Sequence, residues 1–214
     1  MKNIITDFLK SHGAAQVGFC NAEENPFSMP YAISYTIPLS DAIIDGIDTA
    51  PTHTYFHHYR SVNALIDHLS LRCGLILAEN GYRYVPIPAS QSVGGTQGIY
   101  SHKMAAVSAG LGTIGKSALF LSETNGPRVR LGTVLTDCEF EVNTVIPESK
   151  CGDCTLCRDN CPALAIKGNH WSPDCSRSDI IDAHACSDYM KKAFQHIGRG
   201  SVCGICMKVC PYGK

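Results

Sequence analysis

Eight of the chain's 12 cysteines crowd its last third at regular spacing. Cys151-x2-Cys154-x2-Cys157-x3-Cys161-Pro162 comes first, Cys186 stands alone, and Cys203-x2-Cys206-x3-Cys210-Pro211 follows. A 4Fe-4S cube needs one thiolate per iron, and a two-residue gap lets a tight turn present sulfurs to adjacent corners. In two-cluster bacterial domains of this spacing, the cysteine after the three-residue gap serves the other cluster. Cys151, Cys154, Cys157 and Cys210 are therefore expected to hold one cluster. Cys161, Cys203 and Cys206 are expected to hold the second, one ligand short. Symmetry would put the missing thiolate three residues before Cys203, where the chain has Gly200. Cys186, which opens a predicted helix (CSDYMKKAF), is the better placed substitute; Cys175, in the polar turn WSPDCSRSD, is the other. Zinc ribbons usually carry two separated C-x2-C pairs without the C-x3-C-P arms. Disulfides would need an oxidising compartment to which no signal peptide points.

A second chemical pattern lies upstream. Residues 110–117, GLGTIGKS, match both G-x-G-x-x-G and G-x-x-x-x-G-K-[ST]. Either phosphate motif needs a strand just before it, yet HKMAAVSA favours a helix, and an entering helix points its negative end at a phosphate. The segment Ser117 to Leu121, predicted helical, could still offer amides. Asp137 at the end of VLTD is the Walker B candidate, but it comes only about 20 residues on. A large cofactor packed against glycine backbone is the preferred reading of this loop.

Other residue types carry weaker signals. His53 and His57 have i, i+4 spacing, but flanking aromatics favour the start of a packed helix over a metal grip. His102 precedes the glycine loop and titrates near neutrality, so it is a weak candidate proton donor. Asp182-x-His184-x-x-Ser187 nearly meets a corrinoid-coordinating D-x-H-x-x-G pattern; Ser187 breaks it, and no histidine ligand to cobalt is expected. Cys20 and Cys138 lack partner spacing and read as buried thiols.

The elements that must position these groups follow from periodicity. MKNIITDFLK reads as an amphipathic helix with Ile4, Ile5, Phe8 and Leu9 on one side, and VGFC and YAISYTIPL read as strands. From Tyr59 to Asn80, Val62, Leu65, Ile66, Leu69, Cys73, Ile76 and Leu77 recur at helical spacing, with Gly81 as the stop. RYVPIPAS is extended, His102 to Ala109 helical, and RVRLGTVLTD a strand. At 214 residues and net charge −1, the chain allows one good core plus an appendage. It shows no basic run for nucleic acid. No apolar stretch approaches 18 residues, so no membrane association is expected. The expected location is cytoplasmic, and two exposed, oxygen-labile clusters suggest an anaerobic or strongly reducing cell.

SHKMAAVSAGLGTIGKSALFL, RVRLGTVLTD, CGDCTLCRDNCPALAIKG, DAHACSDYM and CGICMKVCPYGK, in that order, resemble the epoxyqueuosine reductase family and its shorter relatives. The resemblance is strong over residues 85–214 and looser before them. That family is similar to the catalytic cores of reductive dehalogenases. The resemblance implies an α+β fold: a nitroreductase-related cobalamin-binding domain over residues 1–148, followed by a small ferredoxin-like double-cluster domain over 149–214. It implies that Gly110, Gly112, Thr113, Ile114, Gly115 and Lys116 lie along a base-off corrinoid, with Thr96 and His102 at the same site. It also makes Cys186 a cluster ligand. Lys116 could neutralise a corrin amide region or cap a helix.

The chain departs from the family at telling places. The tRNA-modifying members carry a proton-donating Asp where this chain has Thr96, whose hydroxyl cannot easily replace a carboxylic acid. Thr113 and Ser117 stand where the family often has Trp and Asn, which weakens stacking on a flat ring. Those members continue into a helical-repeat region, whereas this sequence stops three residues after Pro211. Action on tRNA is therefore not expected. The expected activity is electron transfer through two 4Fe-4S clusters to a bound corrinoid, reducing a small substrate. The alternative is a non-catalytic, ferredoxin-like carrier, or a corrinoid-reducing or delivery protein for a redox partner.

Overall fold

The computed structural model describes residues 1–91, 93–142 and 145–212. In chain order its elements are α1 (Lys2–Ser11), β1 (Gln16–Asn21), β2 (Tyr31–Pro38), α2 (Asp41–Asp45), α3 (His53–Glu79), β3 (Tyr84–Ile87), α4 (His102–Ser108), β4 (Gly112–Ile114), β5 (Phe120–Ser122) and β6 (Val129–Thr136). Short helices follow: α5 (Leu156–Asp159), α6 (Arg177–Ile180), α7 (Ala183–Ala193), α8 (Gln195–Gly198) and α9 (Ile205–Lys208). They form two compact units. One comprises Met1–Pro38, Ser61–Thr113 and Val129–Pro147; the other comprises Leu39–Arg60, Ile114–Arg128 and Glu148–Lys214. The sequence suggested a single cut near residue 148, but the chain passes between the units repeatedly.

The first unit is built on an antiparallel sheet ordered β1-β2-β6-β3. β2 is buried from Ala32 to Ile37, as a central strand covered on both faces must be. Its pleat assigns the faces. Tyr35 points to α3, donating its hydroxyl hydrogen bond to the Ile66 carbonyl at 2.8 Å and lying 2.8 Å from the Ser70 hydroxyl. Val62, Ile66, Leu69, Cys73 and Leu77 form the buried stripe of α3, while Leu65 is exposed. The opposite face is lined by the small residues Ala32, Ser34 and Thr36 and receives α4, whose Ala105 carbonyl accepts from Cys20 Sγ at 3.5 Å. In α1 only Ile5 and Leu9 are fully buried, and Ile4 is 53% exposed: the i, i+4 pair faces the core and its neighbour does not. By length and composition α3 carries an 18-residue window apolar enough to cross a membrane, which the sequence reading missed; 44% of that window is buried in the protein.

In the second unit the cysteine-rich segment is too poor in apolar residues to build a core alone. Its Phe194, Val202, Ile205 and Met207 are buried, and the segments 39–60 and 114–128 add buried Ile44, Ile47, Tyr55 and Leu121. Arg128, with a side chain 2% exposed, ties α2 down by hydrogen-bonded ion pairs of 2.7 Å to both Asp41 and Asp45. No helix forms over Ser117 to Leu121: a turn there, with the Ala118 amide bonded to the Gly115 carbonyl at 2.8 Å, leads into β5. α7 begins at Ala183, three residues before the predicted start, because Asp182 caps it by accepting from the Ala185 amide at 2.9 Å.

Candidate iron-sulfur centres

The C-G-D-C turn sets the first group of thiols. Gly152 takes the left-handed region at φ +45°, and the Cys154 amide closes the turn on the Cys151 carbonyl at 3.0 Å. Cys157 follows on α5. Together with Cys210 and Pro211 these cysteines line a pocket of about 350 Å³, including its open mouth, whose other walls are Lys116, Ser117, Leu121, Leu156 and Tyr212.

Electrostatics sorts the thiols in the same way. Cys210 is pushed up to about 11, by burial first and then by Cys151, Cys157 and Cys154. Cys186 is raised by burial and then by Cys161. Cys203 is raised by burial and then by Cys186 and Cys161, and Cys206 by burial, Cys203, Cys186, Cys157 and Cys161. Mutual proximity therefore gathers Cys151, Cys154, Cys157 and Cys210 in one set and Cys161, Cys186, Cys203 and Cys206 in another. Cys157 reaches across to Cys206, consistent with the packing of α5 on α9. Among the described residues no three His, Cys, Asp or Glu side chains converge as ligands of a single ion. Four thiolates around one zinc would have to gather at Zn–S ≈ 2.3 Å. A four-iron cube spreads them over its corners, so two cubes fit the donors better than one ion. Burial disfavours the thiolate form, a cost that iron, which takes thiolate, offsets on binding.

The structure explains the broken symmetry of the second motif. Gly200 sits at φ +68°, and a Cβ there would lie 2.5 Å from Lys191 Cα and 2.9 Å from Lys191 N. Backbone cannot give way as a side chain can, so no cysteine fits at that position. Cys186, in the first turn of α7, is the thiol brought next to Cys161 and Cys203 instead. Its approach is fixed by the Asp182 cap and by backbone bonds from Lys167 to Ile180 (3.0 Å) and from Asp182 to Ala165 (2.8 Å), which tie the Cys161 arm to α7. Cys175 lies apart, with Sγ 3.3 Å from Ser172 Oγ and 3.7 Å from the His170 carbonyl. Cys20, Cys73 and Cys138 are buried thiols.

The glycine loop is packed against protein. Gly112, Thr113, Ile114, Gly115, Lys116 and Ser117 are all buried. The Gly110, Leu111 and Gly115 amides already donate to the Val107, Ala106 and Leu119 carbonyls at 2.9, 3.0 and 2.9 Å. A phosphate cradle needs converging free amides, and with the Ser117–Leu121 helix absent the loop has none to offer from a helix start. Asp137 is engaged by Arg83, through its backbone amide and Nε, both at 2.8 Å, and is not a Walker B acid. Sequence reasoning missed the place of Lys116. Its ammonium donates to the Gly152 carbonyl at 2.5 Å and the Cys154 carbonyl at 3.3 Å, inside the first cysteine turn. Gly115 is there for closeness: a Cβ would meet Leu121 Cδ1 at 2.7 Å and Cys151 Sγ at 3.3 Å.

The remaining predicted site residues lie in the first unit. His102 is held at both ring nitrogens, with Nδ1 2.8 Å from Thr133 Oγ1 and Nε2 2.9 Å from the Pro88 carbonyl. Burial is the main cause that lowers its pKa. These two contacts fasten α4 to the sheet. Thr96 is half-buried in the 93–99 turn, with Gly94 and Gly95 both at positive φ. His53 and His57 are exposed on the first turns of α3.

Comparison with known proteins gives these features a class. Residues 150–213 match the family described as a 4Fe-4S double cluster binding domain, which gives the cysteine-rich segment its class. Its relatives are oxidoreductases: it is 34% identical over 119 residues to epoxyqueuosine reductase of Staphylococcus aureus (strain NCTC 8325 / PS 47), covering 55% of this chain and 30% of that protein. The fold is shared, at 21% identity and TM-score 0.77, with a reductive dehalogenase whose structure suggests a mechanism for B12-dependent dehalogenation, covering 98% of this chain and 31% of that one. It is also shared, at 18% identity and TM-score 0.67, with an epoxyqueuosine reductase bound to an epoxyqueuosine-modified tRNA stem loop, covering 99% and 65%. The chain thus spans under a third of the curated relative's length. The resemblance read from the motifs holds: the chain is similar in sequence to epoxyqueuosine reductases and shares its fold with them and with reductive dehalogenases.

Proposed function

We propose that this chain accepts single electrons into two 4Fe-4S clusters, one per cysteine set, and passes them to a corrinoid for reduction of a small substrate. The observation that carries the reading is the division of eight thiols into two adjoining sets of four, one of which lines a single pocket. When bound, the clusters would supply one-electron transfer, and a corrinoid would supply a reducible metal able to remove an oxygen or halide. The chain's residues hold eight thiolates and set a cation, Lys116, beside the first set. Support for the corrinoid comes from the fold shared with a protein whose chemistry is described as B12-dependent. A nitroreductase-related first unit rests on the motif resemblance alone. Within the glycine loop only Gly110 is not buried, so a corrinoid contact there would fall on Gly110, and Gly115 and Lys116 are committed to the cysteine turn. Thiolates in this number suit a reducing cytoplasm.

Thr96 favours a second reading, a non-catalytic carrier that hands electrons or a corrinoid to a partner protein, because no carboxylic acid stands where the tRNA-modifying relatives have theirs. The test is anaerobic titration with cobalamin under strong reductant, with ATP and NAD as controls. A saturable change in the corrinoid spectrum is expected, and saturable ATP binding lost in K116A would overturn the reading. Turnover is then measured on organohalides, epoxides and epoxyqueuosine-containing tRNA. Reduction of a small molecule, with the proton drawn from water, is the expected result; robust tRNA turnover contradicts it. Spectral binding without any turnover selects the carrier.

A further inference from the structure

Lys116 is the cation of the second unit that the sequence motif misassigns. It follows a loop that reads as a phosphate or corrin contact, yet its side chain is only 6% exposed and is turned into the Cys151–Cys154 segment. It lines the same pocket as Cys151, Cys154, Cys157 and Cys210, together with apolar Leu121 and Leu156. Among the described residues no carboxylate lines that pocket to neutralise the ammonium. A buried cation without a counter-ion is costly, and two backbone carbonyls only partly compensate it. A cluster held by four thiolates carries net negative charge, which grows by one on reduction.

We propose that Lys116 is the counter-charge of the cluster held by Cys151, Cys154, Cys157 and Cys210, and raises that cluster's reduction potential above that of its neighbour. The inference rests on the reading that both cysteine sets hold clusters. The redox step is the uptake of one electron from an external reductant, with no ligand bond broken and no proton required. Cluster potentials follow net charge, hydrogen bonding and solvent exposure, and a fixed ammonium in a low-dielectric wall favours the more negative, reduced state. Lys116 acts on the cluster through space and through the loop it fastens, so it is a positioning and tuning residue.

The test uses the anaerobically loaded full chain. Iron and sulfide are assayed first, which separates failure of the cluster reading from failure of this one. The midpoint of each cluster is then read by a spin-resonance-monitored redox titration of wild type, Lys116→Gln and Lys116→Arg. K116Q, which can still donate hydrogen bonds to the turn, is expected to shift the reduced-to-oxidised ratio of one cluster at least ten-fold toward oxidised, 59 mV for a one-electron couple. The other cluster should shift much less, and K116R should stay near wild type. A loaded K116Q with both midpoints unchanged, or with both moved equally, overturns the proposal. If K116Q does not load that set, K116R decides: loading at the wild-type midpoint sustains the role of the charge, and failure to load overturns it in favour of side-chain shape.

Discussion

At the scale of residues, the grouping of the cysteines was legible because cluster spacing is a local code, in which short gaps bring neighbouring sulfurs together whatever the rest of the chain does. The substitution of Cys186 for a cysteine at position 200 was legible as a candidate, but its cause was not. That cause is the backbone of Lys191 pressed against Gly200, a contact with no sequence signature. Lys116 was misread for the same reason, since its partners Gly152 and Cys154 lie 36 and 38 residues away. We expect C186S to lose about four of eight irons, one cube, while C175S keeps them; reversed iron counts would move the ligand into the 172–176 turn. His102 gives a pH prediction. Its pKa in the folded chain lies below the usual 6.5, so the unfolded chain binds its proton first. The stability this group contributes is complete above that value and falls as pH drops below it. Urea midpoints measured from pH 8 to pH 5.5 should decline less steeply in H102Q than in wild type; parallel declines would remove His102 from this role.

At the scale of elements, the sheet strands and α3 were readable because burial imposes a period on their residues, seen in the Val62, Ile66, Leu69, Cys73 and Leu77 stripe. The Ser117 to Leu121 segment was misjudged: helix propensity is a weak prior, and the Ala118 to Gly115 bond closes a turn that leads to β5 instead. The early start of α7 was also missed, although Asp182 has the right chemistry for a cap. Two substitutions test what these elements do. G115A puts a methyl within 2.7 Å of Leu121 and 3.3 Å of Cys151 Sγ, and should lower iron retention at the first set while leaving the second intact. D41N with D45N strands the buried Arg128 guanidinium and should cost about 1–3 kcal/mol, read as a lowered urea midpoint of the anaerobic loaded chain. R128M removes the charge along with its partners and should cost less. The reverse order would mean that packing of the Arg128 stem, and not its charge, holds α2.

At the scale of the whole molecule, the composition pointed to two modules, and two compact units are present, yet their interleaving was invisible in the sequence. The cysteine-rich segment borrows Ile44, Ile47, Tyr55 and Leu121 from upstream because it has too few apolar residues of its own. Expression of residues 149–214 alone should therefore give a poorly folded, iron-poor peptide, whereas the full chain loads. A stably loaded short peptide would show that the borrowed residues are dispensable. The central claim is that eight cysteines hold two iron-sulfur cubes, and anaerobic quantitation of iron, acid-labile sulfide and zinc in the purified full chain tests it most directly. About eight irons and eight sulfides per chain are expected from two cubes; zinc without sulfide would contradict the account.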